Sequence, residues 1–255
     1  MRMVDEWVAI RENAKINHDL YKFSFRSKTL GRLLQPGQFL QIGLTPNCDP
    51  FLRRPFTIYR IAGDSIEILY EIVGRGTAML AGMAEGAMLR VMGPLGNTFR
   101  LNPGRRVRVA VGGGVGIAPF VFLGETIQID HFLMGALTRG GLLPRSELGS
   151  LWKRARFSTN DGSYGKKGFV TDCLEEVIRE EKDPRRLYLY ICGPRPMMKA
   201  VMELAAGYGI EGEASVDERM ACGVGACLGC VVSTTEGFKT TCRDGTVFPF
   251  NKLVL

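Results

Sequence analysis

The chain has 255 residues, 45% of them hydrophobic and 23% charged, with a formal net charge of +7. That size and composition describe a globular protein of two or three small domains and exclude a disordered chain. The basic residues fall in scattered pairs (Arg53 and Arg54, Arg105 and Arg106, Lys166 and Lys167, Arg185 and Arg186) without interleaved aromatics, so no nucleic-acid partner is expected.

The apolar run Val109 to Gly124, as long as any uncharged run in the chain, is shorter than the ~20 apolar residues of a membrane helix and is broken by glycines and a proline, so no membrane partner is expected. The opening MRMVDEWVAI has no apolar signal core, and a cytoplasmic, thiol-preserving compartment is the expectation.

Residues 1–101 read as short alternating strands, among them LYKFSFRS, GQFLQIGL, RPFTIYRI and SIEILYEIV, separated by turn residues. The pattern predicts an antiparallel β-barrel or sandwich, the barrel being the expectation here, with one helix in TAMLAGMAEG. Within it, LRRPFTI offers the guanidinium of Arg54, the fixed backbone of Pro55 and the hydroxyl of Thr57. Further on, GRGTAML sets Gly76 and Thr77 at a helix start, where backbone amides receive an anion. Together they read as a site for a phosphate-bearing cofactor with Arg54 on its pyrophosphate; by spacing alone, an edge strand with solvent-facing arginines is the simpler reading.

From Arg106 the texture changes. In residues 102–212 buried-type strands (RVRVAV, HFLMGAL, RLYLYICG) alternate with helical stretches (APFVFLGETI, GFVTDCLEEVIREE with Thr171 as its cap, RPMMKAVMELAAGYG). This alternation predicts an α/β doubly wound parallel sheet ending near Gly212. The loop in VAVGGGVGIAPF, with Gly112, Gly113, Gly114 and Gly116, follows a strand and opens a helix, so it can hold a pyrophosphate. It departs from G-x-G-x-x-G at Ile117. Cys192, Gly193 and Pro194 form a second strand-end loop, and the two loops can clamp one dinucleotide. Cys192 itself reads equally as core filler or pocket lining. Thr138 and Arg139 lie where a ribose 2′-phosphate would sit, which leaves NAD and NADP both open on the residues alone.

Residues 213–255 carry Cys222, Cys227 and Cys230 at C-x4-C-x2-C spacing and Cys242 after eleven intervening residues. That is the plant-type signature of a [2Fe-2S] cluster, and Gly223, Gly225 and Gly229 let the backbone wrap the sulfurs. Structural zinc is the competing reading, in which the chain would be a zinc-stabilised interaction module; two C-x2-C pairs are usual there and one is present. A cluster moves single electrons, so something else must meet a two-electron substrate. Cys48 and Cys173 read as small hydrophobes. His18 and His131 have no partners that suggest a triad, and no catalytic acid or base is expected.

Taken together, FLRRPFTI, GRGTAML, MGPLGNTF, VGGGVGIAPF, NDGSYGKKGFVTD, CGPRPMMKA and DERMACGVGACLGC resemble, in that order, the electron-transfer subunits of two-subunit NAD-dependent dihydroorotate dehydrogenases, within the ferredoxin reductase superfamily. The resemblance implies FAD in the barrel, NAD on the parallel sheet and a [2Fe-2S] cluster in the C-terminal module. By motif position, Arg54, Pro55, Phe56 and Thr57 correspond to the FAD strip, Leu69, Tyr70 and Glu71 to its second segment, and Gly76 with Thr77 to its phosphate end. Glu71 departs from the family's basic residue there, and GNTF departs from GNGF. The implied partner is an FMN-containing catalytic subunit in a heterotetramer of two of each, working in pyrimidine biosynthesis. Electrons from dihydroorotate oxidation to orotate would pass singly through the cluster to FAD and on to NAD. The small flavin subunit of a ferredoxin:NADP oxidoreductase or a sulfhydrogenase, with the same three-part layout, is the alternative.

Overall fold

The computed structural model describes residues 3–44 and 49–255; Cys48 lies outside the described residues. Among them, the chain forms two seven-stranded sheets and a two-stranded ribbon.

The first sheet is antiparallel and comprises β1 (Val4–Lys15), β2 (Leu20–Arg26), β3 (Phe39–Gly43), β4 (Arg54–Thr57), β5 (Arg60–Ala62), β6 (Ser65–Glu71) and β7 (Met88–Leu95), in the order β4-β3-β7-β1-β2-β6-β5. The segment RPFTIYRI is two strands, because the chain changes partner at Ile58 and Tyr59: β4 pairs with β3 and β5 with β6. That switch joins the two edges and curls the sheet into a barrel. Phe56 on β4 meets Phe23 on β2 and Tyr70 on β6 edge-to-face, with ring centres 6.0 and 6.2 Å apart. Two short helices, α1 (Lys28–Leu33) and α2 (Arg75–Ala81), cover its ends.

The second sheet contains β8 (Val107–Gly113), β9 (His131–Ala136), β10 (Ala155–Thr159), β11 (Lys166–Lys167), β12 (Leu187–Cys192) and β13 (Glu211–Ser215), all parallel. Helices α3 (Ala118–Thr126), α4 (Arg145–Leu148), α5 (Val170–Glu180) and α6 (Arg195–Gly207) follow its strands. β12 shows why it is central: every residue is buried, with Tyr188, Tyr190 and Cys192 in one apolar cluster and Leu187, Leu189 and Ile191 in the other. α5 begins at Val170 with Phe169 as its cap position, so Thr171 lies in the first turn and is not the cap. Asp172, at the third helical position, reaches back to accept from the Phe169 amide at 2.8 Å, as the acidic member of a capping box does.

The C-terminal segment adds the ribbon β14 (Val231–Thr234) and β15 (Gly237–Thr240), the turn α7 (Thr241–Asp244) and β16 (Val247–Pro249), which pairs antiparallel with β13. The tail is therefore stitched to the parallel sheet. Asn97 ties it to the barrel as well: its side chain donates to the Val247 carbonyl and accepts from the Val247 amide, both at 2.8 Å.

Candidate redox cofactor sites

The second sheet runs outward from β8 to β10 and then returns to place β12 against the other side of β8. The reversal creates a crevice between β8 and β12 at their carboxyl ends, where open α/β sheets take ligands. Both glycine loops lie there, and Cys192 pairs in register with Gly112. Their contact is tight: a Cβ on Gly116 would run into the backbone of Cys192 and Gly193. Ile117, in place of a third glycine, packs fully buried beneath Gly112. A cavity of about 890 Å³ opens over the loops, bounded by Gly113, Gly114 and Pro194 on one side and by Tyr21 and Glu71 of the barrel on the other. That volume suits a nucleotide cofactor. Cys192 is not among the residues bounding the cavity; it is buried in the apolar cluster with Tyr190, and desolvation pushes its thiol up to about 12, so it is a neutral core residue at physiological pH. Arg139 stacks on Tyr164 at 5.7 Å from the ring centre, and its backbone amide donates to Ser163 Oγ at 2.8 Å.

Glu71 belongs to this crevice. Its carboxylate accepts from the Val115 amide at 3.2 Å, so the acid occupies one of the loop's anion-receiving groups. Burial pushes its pKa up against that hydrogen bond.

The barrel supplies a second concentration of predicted residues. The Arg54 guanidinium lies against Gly76 at the start of α2, where any Cβ would collide with it, and Arg54 also donates to the Leu52 carbonyl. The Thr77 hydroxyl is committed to the turn: it accepts from the Val73 amide at 2.9 Å and donates to the Gly74 carbonyl at 3.1 Å. The Thr77 hydroxyl is thus spent on shaping the turn that opens α2. Phe56, Leu69 and Tyr70 send their side chains into the cores, and Tyr70 donates to Asn13 Oδ1 at 2.9 Å. Pro55 and Thr57 are half-buried on the opposite face of β4 from Phe56.

The four tail cysteines are free thiols. Cys222 lies beside Cys227 and Cys242 beside Cys230, and Cys242 also feels the charge of Cys222. Backbone amides point at the sulfurs: Val224 and Cys227 donate to Cys222 Sγ at 3.4 Å, and Gly225 to Cys242 Sγ at 3.1 Å. The loop achieves this with left-handed backbone at Gly223, Gly225 and Leu228. Although desolvation opposes it, the amides from Val224 and Cys227 draw the Cys222 thiol down to about 6; burial and the neighbouring Cys230 push Cys242 up to about 12. Among the described residues no three His, Cys, Asp or Glu side chains converge on one point as a mononuclear metal requires. Two thiol pairs fit a two-iron cluster, in which each iron takes two, better than a single zinc ion. Cys230 and Cys242 pack on Phe39 and Leu95 of the barrel, and Cys227 is exposed.

A curled antiparallel sheet, a parallel sheet with a nucleotide crevice and a thiol-rich loop wedged against both define an iron–sulfur oxidoreductase of the ferredoxin-reductase fold. Comparison with known proteins agrees. The family model for the iron-sulfur cluster binding domain of dihydroorotate dehydrogenase B matches residues 217–254, and that for the oxidoreductase NAD-binding domain matches 110–203. The electron transfer subunit of dihydroorotate dehydrogenase B (NAD(+)) from Caldanaerobacter subterraneus is 37% identical over 246 residues, 94% of each chain. That of Bacillus velezensis is 36% identical over 262 residues, 97% of this chain and 98% of its own. The structure of an NADH-dependent reduced ferredoxin-NADP oxidoreductase superposes with a TM-score of 0.84 and 28% identity, covering 97% of this chain and 89% of that one. The chain belongs to the family of electron-transfer subunits of dihydroorotate dehydrogenase B (NAD(+)), and the resemblance read from its motifs is borne out. None of the described helices is long and apolar enough to cross a membrane.

Proposed function

We propose that the chain carries electrons between NAD and an FMN-containing catalytic partner that oxidises dihydroorotate, in a heterotetramer of two copies of each. In this reading Cys222, Cys227, Cys230 and Cys242 hold a [2Fe-2S] cluster. FAD lies along Arg54, Pro55, Phe56 and Thr57, with Leu69, Tyr70 and Glu71 as second segment and Gly76 with Thr77 at its phosphates. NAD lies on Gly112, Gly113, Gly114, Gly116, Cys192, Gly193 and Pro194. When bound, a flavin supplies the exchange between paired and single electrons that links a nicotinamide to an iron–sulfur cluster.

One observation carries the reading: β3 is hydrogen-bonded to β4, which bears the FAD strip, and its Phe39 packs on the thiols of Cys230 and Cys242. Residues of the two sites therefore share one rigid support. The chain's part is to bind and orient: Arg54 neutralises phosphate charge, the glycine loops admit the dinucleotide backbone, and Cys192 fills the apolar core beneath them. Val224 and Leu228, exposed on the loop that carries the exposed Cys227, offer the apolar surface a partner would cover.

Co-expression with a barrel-type FMN subunit tests this. A stable complex that reduces NAD with dihydroorotate is expected, while the isolated chain oxidises NADH with an artificial acceptor and leaves dihydroorotate untouched. Dihydroorotate oxidation by the isolated chain would overturn the assignment. The likeness to the NADH-dependent reduced ferredoxin-NADP oxidoreductase favours one second reading, the small subunit of such a complex; co-purification with a ferredoxin-dependent subunit in place of the FMN barrel would select it.

A further inference from the structure

Gln41 lies in the middle of β3 and is fully buried, yet among the described residues neither its Oε1 nor its Nε2 has a hydrogen-bond partner. An unpaired buried amide is destabilising, so its surroundings need an explanation. The strand's alternation supplies the direction. Leu40 and Ile42 enter the barrel core, whereas Phe39 packs on Cys230 and Cys242, which puts Gln41 on the cysteine-facing side. In register, Gln41 is opposite Pro55 on β4 and Met92 on β7, so the FAD strip and the apolar wall behind the thiols flank it. Its side chain touches the cysteine loop itself at Gly223, whose left-handed backbone and missing Cβ leave room for the Gln41 amide.

We propose that Gln41 is a positioning residue at the junction of flavin and cluster, donating from Nε2 to a sulfur of the cluster held by the four cysteines. Accepting one electron makes the cluster one unit more negative, with no bond broken and no proton moved at Gln41. An N–H aimed at its sulfur stabilises that form and raises its reduction potential. The amide also fixes the loop by its contact with Gly223.

The inference rests on the four-cysteine ligand assignment, and the test separates the two. The holoprotein and its Gln41→Met and Gln41→Glu variants are titrated potentiometrically, with the cluster followed by electron paramagnetic resonance and the flavin by absorbance. Gln41→Met conserves volume among Met92 and Met220 and removes the donor. At the wild-type cluster midpoint, its ratio of reduced to oxidised cluster should fall about tenfold while the flavin midpoint and the melting temperature hold. Gln41→Glu, carrying a negative charge in the same place, should shift the ratio further the same way, and it decides the matter should Gln41→Met fail to load iron. A wild-type cluster potential in the loaded variants, or a shift confined to the flavin, overturns the role of Gln41. Wild-type protein without a [2Fe-2S] signal overturns the ligand assignment instead.

Discussion

The nucleotide crevice and the cysteine loop solve one problem, presenting backbone amides to negative charge, by opposite means. At the crevice, regular elements do it: β8 and β12 hold the two loops in register, and the missing side chain of Gly116 lets them touch. At the cysteine loop no strand or helix spans residues 221–230, and left-handed residues turn Val224, Gly225 and Cys227 toward the sulfurs. The thiols follow their local surroundings: desolvation pushes Cys192 up to about 12, while in the cysteine loop amides bring Cys222 down to about 6 and burial beside Cys230 pushes Cys242 up to about 12. A scaffold-built site survives as a shape; a loop-built site leans on its ligand.

That contrast breaks most sharply at Cys242. Cys242→Ser should abolish cluster incorporation, read as loss of nearly all iron and acid-labile sulfide, while the barrel and crevice stay folded and NADH still binds. Full sulfide content in this variant would remove Cys242 from the ligand set. Gly116→Ala attacks the other region: its Cβ meets the Cys192 and Gly193 backbone, so thermal stability should drop by about 1–3 kcal/mol and the KM for NADH should rise. Here the cluster content should not change, and calorimetry with steady-state kinetics checks both halves.

Arg54→Ala sits between the two. Its guanidinium rests on Gly76 at the α2 start, and losing a charged hydrogen-bonding partner should weaken FAD retention about tenfold or more, measured by flavin release on dilution. The smallest effect is at Glu71, which holds the Val115 amide with a carboxylate where a pyrophosphate would compete. Glu71→Gln keeps an acceptor without the charge and should tighten NADH binding by about two- to fivefold. Because burial raises the Glu71 pKa, the folded state prefers the protonated acid. Its contribution to stability falls as pH rises from the ordinary carboxyl range through the raised value, and Glu71→Gln should lack that slope.

What the sequence discloses follows the same division. Cysteine spacing and glycine runs are legible because the chemistry needs those residue types close together, so C-x4-C-x2-C and VGGGVG announce their sites directly. Long-range contacts are not. Gln41 lies in the alternating strand GQFLQIGL, where nothing local marks it, and the tail packing on that face buries it. Asn97 likewise gains meaning from Val247, far along the chain. Glu71 reads as part of a flavin segment, and the curl of the barrel carries it to the nucleotide loop. Thr171 is the local expectation for a cap, but the helix begins at Val170, one residue before it, and Asp172 reaches back to the Phe169 amide.

The most direct test is to add NADH anaerobically to the isolated holoprotein and follow flavin absorbance together with the low-temperature paramagnetic spectrum. Bleaching of the flavin accompanied by the signal of a reduced [2Fe-2S] cluster, stoichiometric with the chain, is the result predicted. A flavin that stays oxidised, or a protein with no acid-labile sulfide, would contradict the account.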